Sequence, residues 1–444
     1  MRKILLICVL STVSVCPALA DVGDTFTVLT AEGVEMTFVV TDEENKTCQA
    51  GTGNGIESRC VSSATKGSVT IPRTAGDYRV TAVAEFAFYM CYGVSSVILP
   101  EGITSIGQEA FNESGVEELS IPASVTTIGI TPFPHLTRLT VSVDNPVFSS
   151  PEGSNAVIET ATQTLVAGCG GTVIPPGVTS IRSYAFSFCP VSTIEIPQSV
   201  TSIGGHAFYF SGLLTIEIPS SITVLEDGVF DTCGALSSVT LPEGLETIGP
   251  KCFRNCNKMT SINLPESLRT LGHNVFESCE SLEEVVIPEG VEEVPDYAFT
   301  QCSSLRDVRL PESIRRIGDG VFAACLSLDS VSLPSGLSEL GYSVFGDGSL
   351  SSIRLFCATP PSANETTFME NYQIRLYVPQ GSAETYRSAE VWRNFKDIVE
   401  FDTNHIADIK PPVTQEPAYD LTGRRLSSIP SHGVYIRGGR KYVK

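Results

Sequence analysis

An apolar-proline step recurs along this chain at an almost constant interval. Pro175, Pro197 and Pro219 stand 22 residues apart, Pro242, Pro265, Pro288, Pro311 and Pro334 follow at steps of 23, and Pro100 and Pro122 form an earlier pair, again 22 apart. A phenylalanine keeps pace with them, at Phe88, Phe111, Phe186, Phe208, Phe230, Phe253, Phe276, Phe299, Phe322 and Phe345. A period of this size restricts the chain to an architecture of stacked, similar units.

One clean unit runs from Met259 to Ser281, MTSINLPESLRTLGHNVFESCES. Ile262 and Leu264 alternate with a polar residue, the pattern of a strand with one buried face. Pro265 removes a ladder donor and ends that strand. Leu268 and Leu271 are expected to point inward across a bend, with Gly272 permitting a turn that other residues would resist. Val275, Phe276 and Cys279 follow at helical spacing, which predicts a single helical or 3₁₀ turn.

Such a unit cannot fold alone. Burying its seven or so apolar side chains yields roughly 10–20 kcal/mol gross, whereas ordering its backbone costs about 1–2 kcal/mol per residue. Neighbouring units must therefore share their faces. The expected fold is an α/β repeat solenoid of eleven or twelve coils of 22–23 residues, with one parallel sheet along its side, about 50 Å long at ~4.8 Å per strand.

The unit, with its LPxxVxxIGxxAFxxC core, resembles the BspA-like family of bacterial leucine-rich repeats over Thr70 to Leu355. ATKGSVTIP (Ala64 to Pro72) is similar to the lead-in of these arrays, and LYVPQGSAETYRSAEVWRNF (Leu376 to Phe395) to their closing segment. The resemblance implies a leucine-rich-repeat solenoid on a surface or secreted protein, several relatives being adhesins for host matrix or plasma proteins or for neighbouring cells. The chain departs from the pattern between Pro122 and Pro175, where the period stretches to 53 and ITPFPHL replaces the AFxxC step. There Ser142 to Gly171 carries AVIETATQTLVAG, two apolar runs around a polar turn, read as a hairpin-like insertion within a long coil near 140–171.

The flanks complete the expected organisation. Residues 1–20 read as a signal peptide: Arg2 and Lys3, an apolar run, then Ala18-Leu19-Ala20 before Asp21. Bulky Val15 argues against lipidation at Cys16. Residues 21–66 alternate as a β-rich cap, 67–356 form the array, 357–401 a second cap bearing Tyr377, Tyr386, Trp392 and Phe395, and 402–418 a Pro-rich linker. The basic segment 419–444 is similar to C-terminal sorting segments of type IX secretion substrates in its YDLxGRR…GVYI…G spacing, though shorter than a full sorting domain. The alternative is a small β hairpin that closes the protein.

Fifty acidic residues against 29 basic ones, a net charge of −21, exclude nucleic acid and anionic membrane as expected partners. No stretch after the leader is long enough for a transmembrane anchor. Seven cysteines (Cys91, Cys189, Cys233, Cys256, Cys279, Cys302 and Cys325) occupy the repeat's own Cys step. Equivalent positions on stacked coils point inward in parallel instead of converging on a metal, so they read as small core residues. Cys48 and Cys60 flank a Gly-rich loop and are a candidate disulfide in an exported protein. His135, His206, His273, His405 and His432 show no paired spacing, and adjacent acids such as Glu283 and Glu284 read as solvated surface. No catalytic motif is present, so the chain reads as a non-enzyme without cofactor or metal.

The outward column between the two buried strand positions is free to vary, because packing does not use it. Its candidate ligand-binding residues are Glu195, Glu217, Asn263, Arg309 and Arg354, with Arg306 beside them. The signs run from acidic mid-array to a basic cluster at Arg306, Arg309 and Arg354. The sequence thus predicts a monomeric, exported adhesin-type binder of a host or neighbouring-cell protein or glycan, at the cell surface or released. The competing reading is a structural or display protein with no specific ligand.

Overall fold

The computed structural model describes residues 5–6, 21–130, 133, 136–403, 418–419, 434–437 and 440–443. Nearly all of the leader and the linker, and most of the basic C-terminal segment, with His135, His405 and His432, lie outside the described residues. The chain is a β-solenoid of about 14 stacked turns with parallel strands and almost no helix. The predicted repeat solenoid is therefore correct in class, and three features of its coil were not foreseen.

The first is a second parallel sheet. The strand before the proline stacks as expected, Thr215–Glu217 on Ser238–Thr240 and Glu284–Val286 on Asp307–Arg309. The apolar step after the proline, expected only to bend, forms a two-residue strand of its own. Val224–Leu225, Thr247–Ile248 and Thr270–Leu271 pair in parallel register, one per coil. Each coil thus presents two sheet faces, and the inward side chain of each strand (Ile216, Leu225, Val239, Ile248) is buried.

The second concerns the AFxxC step, which is not helical. Two residues before and two after the phenylalanine, the backbone is left-handed: His206 and Phe210 (φ 57° and 53°), Lys251 and Asn255 (55° and 59°), Asn274 and Ser278 (57° and 58°). Left-handed backbone costs an L-residue about 1–2 kcal/mol. The compensation is a third hydrogen-bond ladder, because the alternation aims every second amide at the next coil. His206 N donates to Asp227 O (2.8 Å), Phe208 N to Val229 O (2.9 Å) and Phe210 N to Asp231 O (2.9 Å).

The third is the role of Gly272. Its backbone lies outside the left-handed region, so the glycine is required by proximity and not by its own dihedral. A Cβ there would stand 2.1 Å from Pro250 N and 2.4 Å from Gly249 C in the coil below. Gly107 has the same relation to Glu85, at 2.4 Å.

Inside, the phenylalanines form one column. From Phe186 through Phe208, Phe230, Phe253, Phe276, Phe299, Phe322 and Phe345 to Phe368, consecutive rings lie 5.0–6.0 Å apart with planes within 14° of parallel. At the C-terminal end Trp392 and Phe395 meet Phe368 edge-on, closing the column. Trp392 Nε1 donates to Pro361 O (2.9 Å) and the Tyr386 hydroxyl to Cys357 O (2.8 Å), so both buried rings have their polar tips satisfied. At the N-terminal end the strands Thr25–Leu29, Glu35–Asp42 and Thr47–Ala50 form an antiparallel meander. Its last strand pairs parallel with Tyr78–Val83, and it lays Phe26, Met36 and Phe38 over the first coil.

The repeat is interrupted between Phe133 and Phe186. Ala156–Glu159 and Thr164–Gly168 pair antiparallel as a hairpin. Its side chains divide between two cores: Ala156, Ile158 and Leu165 belong to the C-terminal one, and Val157, Val166 and Ala167 to the N-terminal one. Gly168 lies against the Phe186 ring, where a Cβ would stand 2.1 Å from a ring carbon. In regular coils the carbonyl at the end of the short strand accepts the amide of the next coil's glycine step, as Ile106 O does from Gly129 N (2.8 Å). Here Arg182 occupies that glycine step, and its guanidinium reaches back to Ile128 O (3.0 Å) and Gly129 O (2.7 Å). One side chain thus supplies donors to acceptors the insertion separates from the next coil. Among the C-terminal residues, Ala418–Tyr419, Val434–Arg437 and Arg440–Val443 form an antiparallel three-stranded sheet.

Candidate functional site

The outward column of the first sheet is assembled by register. Thr193 bridges to Thr215, and Glu217 lies beside Thr240, Val286 beside Arg309, Ser332 beside Arg354, and Arg354 beside Tyr377. Glu195, Glu217, Asn263, Arg306 and Arg309 are exposed, and Arg354 is half-buried. The spacing therefore placed these residues on one face.

The charges on that face do not form the expected basic cluster. Arg306 pairs with Glu283 on the neighbouring coil, and Arg309 with Asp307 on its own strand (3.1 Å). The Arg354 guanidinium lies over two rings of the closing segment, 5.5 Å from the Tyr377 centroid and 5.8 Å from that of Phe401. Two of the three arginines are thus balanced by acids, and the third continues the face into an aromatic end. Exposed pairs of this kind are worth about 0–1 kcal/mol each. They leave the groups available to a partner but give the face no single sign.

The cysteine column is interior. Cys279 Sγ donates to Phe253 O (3.1 Å), Cys302 Sγ to Phe276 O (3.1 Å) and Cys325 Sγ to Phe299 O (3.2 Å), each thiol bonding the coil below. Burial pushes the Cys279 and Cys325 thiols up to about 12 and that of Cys233 to about 11. Cys48 and Cys60 are both buried and unlinked in the structure. Cys60 lies instead next to the first coil, its amide donating to Ala87 O (2.8 Å). The expected bridge is therefore not formed here: the meander carries Cys48 into the sheet while Cys60 faces the array.

Two features escaped the sequence reading. On the second sheet Arg316 joins three coils, touching Glu293 and Asp296 behind it (the latter at 3.3 Å) and Glu339 ahead (3.3 Å). Glu293, Arg316 and Glu339 are spaced by 23 in each direction, so the alternation of sign was legible in the repeat. On the turn face, His206, which shows no paired spacing with another histidine, has an aromatic partner. It is half-buried and stacks on Tyr184, with ring centroids 5.0 Å apart.

The chain matches the family model described as BspA type leucine-rich repeat region, in 6 copies, over residues 55–147, 170–274 and 246–375. It therefore belongs to the BspA-type leucine-rich-repeat family. It is similar to a leucine-rich cell surface protein of Faecalibacterium prausnitzii, at 27% identity over 55% of this chain and 59% of that one, TM-score 0.41. The chain thus spans little more than half the length of that relative. It is also similar to the pneumococcal vaccine antigen PcpA (18% identity, 86% of this chain, 100% of that one, TM-score 0.48). A leucine-rich-repeat protein of Bacteroides ovatus is similar at 22% identity, covering 83% of this chain and 98% of that one, TM-score 0.42. Comparison with functionally curated proteins returns no match. Among the described residues no helix is long and apolar enough to cross a membrane.

Proposed function

We propose that this protein is an exported, non-catalytic binder of adhesin type, presented at the bacterial surface or released, that recognises a protein or glycan through the face of its first sheet. The observation that carries this reading is the division of labour within the strand. Inward side chains such as Ile216, Val239, Val285 and Val308 are buried, while the intervening column of Glu195, Glu217, Asn263 and Arg309 is exposed and contributes nothing to the core. A face left free over so many coils, with charges of both signs and an aromatic end, offers a long mixed surface suited to a macromolecule. Membership of the BspA-type leucine-rich-repeat family supports a surface location.

The test is a binding screen of the mature chain against matrix proteins, plasma proteins, mucins and glycans, repeated with a charge-reversal variant. Because Arg354 packs on rings, the variant leaves it in place and alters exposed groups: Glu195→Lys, Glu217→Lys, Arg306→Glu and Arg309→Glu. Saturable binding that falls at least tenfold in the variant, with circular dichroism unchanged, supports the reading. Absence of binding to every surface by a folded protein would replace it with the structural or display role.

A further inference from the structure

Leu5–Leu6, within the leader, form a strand that lies in parallel register on the N-terminal meander, Leu5 against Phe26 and Leu6 against Thr27. Its seat is Thr25–Leu29, the outermost strand of that sheet once the leader is removed. Asp24 O accepts from Val40 N (3.0 Å), and Thr30 N donates to Val34 O (2.8 Å). Hydrogen-bonded positions alternate along an antiparallel pair, so Phe26 and Val28 bond to the next strand inward. Thr25, Thr27 and Leu29 therefore turn their amides and carbonyls to the outer edge. That edge is not blunted. Edge strands commonly carry Lys, Pro or a bulge against unwanted pairing, whereas TFTVL has no charge and no proline and pairs inward without a register shift. Leu29 is 69% exposed and Val22 65%. Exposed acids flank the strand, Asp21 and Asp24 before it and Glu32 and Glu35 after it, and the cap over 21–66 holds eight acids against three bases.

The C-terminal strands offer the complement. Ala418–Tyr419, Val434–Arg437 and Arg440–Val443 form a sheet of their own, with Arg440–Val443 at one edge. So small a sheet gains stability from any further pairing. Segment 419–444 carries six bases and one acid, and Arg440 and Lys441 belong to the edge strand itself. Three occupants compete for the freed edge of the cap. A second cap would bring acids against acids. The chain's own tail is tethered by the 17 steps from Phe401 to Ala418, at most about 60 Å when fully extended. The array of about 14 turns is roughly 65 Å long at ~4.8 Å per turn. That tether would have to be drawn straight along the whole molecule. The tail of another copy meets neither obstacle.

We infer that loss of the leader opens the Thr25–Leu29 edge to the Arg440–Val443 strand of a second copy, so that mature chains join head to tail. The two patches differ, so the contact is heterologous and repeats from copy to copy along a row. The leader strand holds the precursor monomeric until it is removed. The inference rests on the reading that the chain is exported and loses residues 1–20, and not on what its sheet face binds.

The experiment takes the full chain exported from a bacterial host, measures its intact mass, and follows its size by light scattering over rising concentration. The expected result is a mass running from Asp21 to Lys444, with species of two, three and more copies that dissociate in high salt. Three variants and a mixture locate the contact. Thr27→Pro removes one outward amide and no inward bond, and should weaken association at least tenfold with circular dichroism unchanged. Asp24→Lys/Glu35→Lys and Arg440→Glu/Lys441→Glu should each weaken it as much alone. An equal mixture of those two should assemble again, because each altered cap then meets an altered tail strand of opposite sign. Assembly that stops at two copies marks a cap-to-cap contact and overturns the proposal. So does a monomer at every concentration, a Thr27→Pro chain that assembles like its parent, or a mixture that stays monomeric. A mass that retains Met1 overturns the leader reading and the proposal with it. A mass that begins at Asp21 but lacks Arg440–Val443 overturns the proposal alone.

Discussion

Between Phe186 and Phe368 each ring meets the next in nearly the same way, whereas between Phe133 and Phe186 the column stops and a hairpin takes its place. The regular stretch is held by three ladders and one continuous core, so each coil is stabilised by two like neighbours. The junction has no like neighbour to offer. It is held by a hairpin whose alternate residues serve two cores, and by one arginine reaching more than fifty residues back. The repeat therefore encodes a neighbour relation more than a coil, and wherever the relation lapses a dedicated device must replace it.

The largest expected effect belongs to the regular stretch. Phe276→Ala should cost about 3–5 kcal/mol in denaturant unfolding, because the ring is fully buried and stacked on both sides. An equal cost for Phe133→Ala, whose stacking is one-sided, would erase the contrast drawn here. Arg182→Gly should cost about 1–3 kcal/mol by leaving buried carbonyls without donors. It should do so locally: hydrogen exchange should accelerate around Gly129 and the hairpin while the amides of Thr247–Ile248 keep their protection. Uniform acceleration would mean that the two cores unfold as one.

The cysteine column predicts a pH dependence confined to the array. In the folded state burial pushes the thiols of Cys233, Cys279 and Cys325 up to about 11–12, above the value of about 8.5 expected in an unfolded chain. Folding thus favours the protonated form. The stabilisation is complete below the unfolded value and is lost as pH rises from about 9 to about 12. Cys279→Ser should flatten this alkaline decline at little cost at neutral pH, since Ser114 and Ser211 hold the same step elsewhere. Unfolding midpoints across that pH range measure it, and an unchanged slope would remove the thiols as its cause. The smallest effect is a gain: Ala324→Gly, at φ 56°, should stabilise by about 0.5–1 kcal/mol, detectable as a raised melting temperature.

How far the fold was legible depends on the range of each signal. The proline and phenylalanine periods announced stacking, the strand before each proline and the outward column, because these repeat in every coil. The second sheet was not seen, since strands such as Thr270–Leu271 are too short to show alternation. The left-handed turn was mistaken for a helical one because Val275, Phe276 and Cys279 have helical spacing. Asn274 and Ser278 on either side of the ring were the contrary signal, being residues that tolerate such backbone. Arg182 stands where neighbouring coils carry Gly204 and Gly249, but nothing local says that it reaches Ile128. The charges of the candidate face were readable one residue at a time and misjudged as a group, because Arg306 finds Glu283 only through a register of 23.

The hairpin has a mechanical meaning. A load applied between the two ends of the molecule is carried across most coils by three ladders and a shared core at once, so that many bonds must fail together. At the hairpin the load crosses paired strands of four or five residues that belong partly to each half. Such strands can peel apart bond by bond, and the rod should yield there first, parting into two compact pieces joined by slack chain.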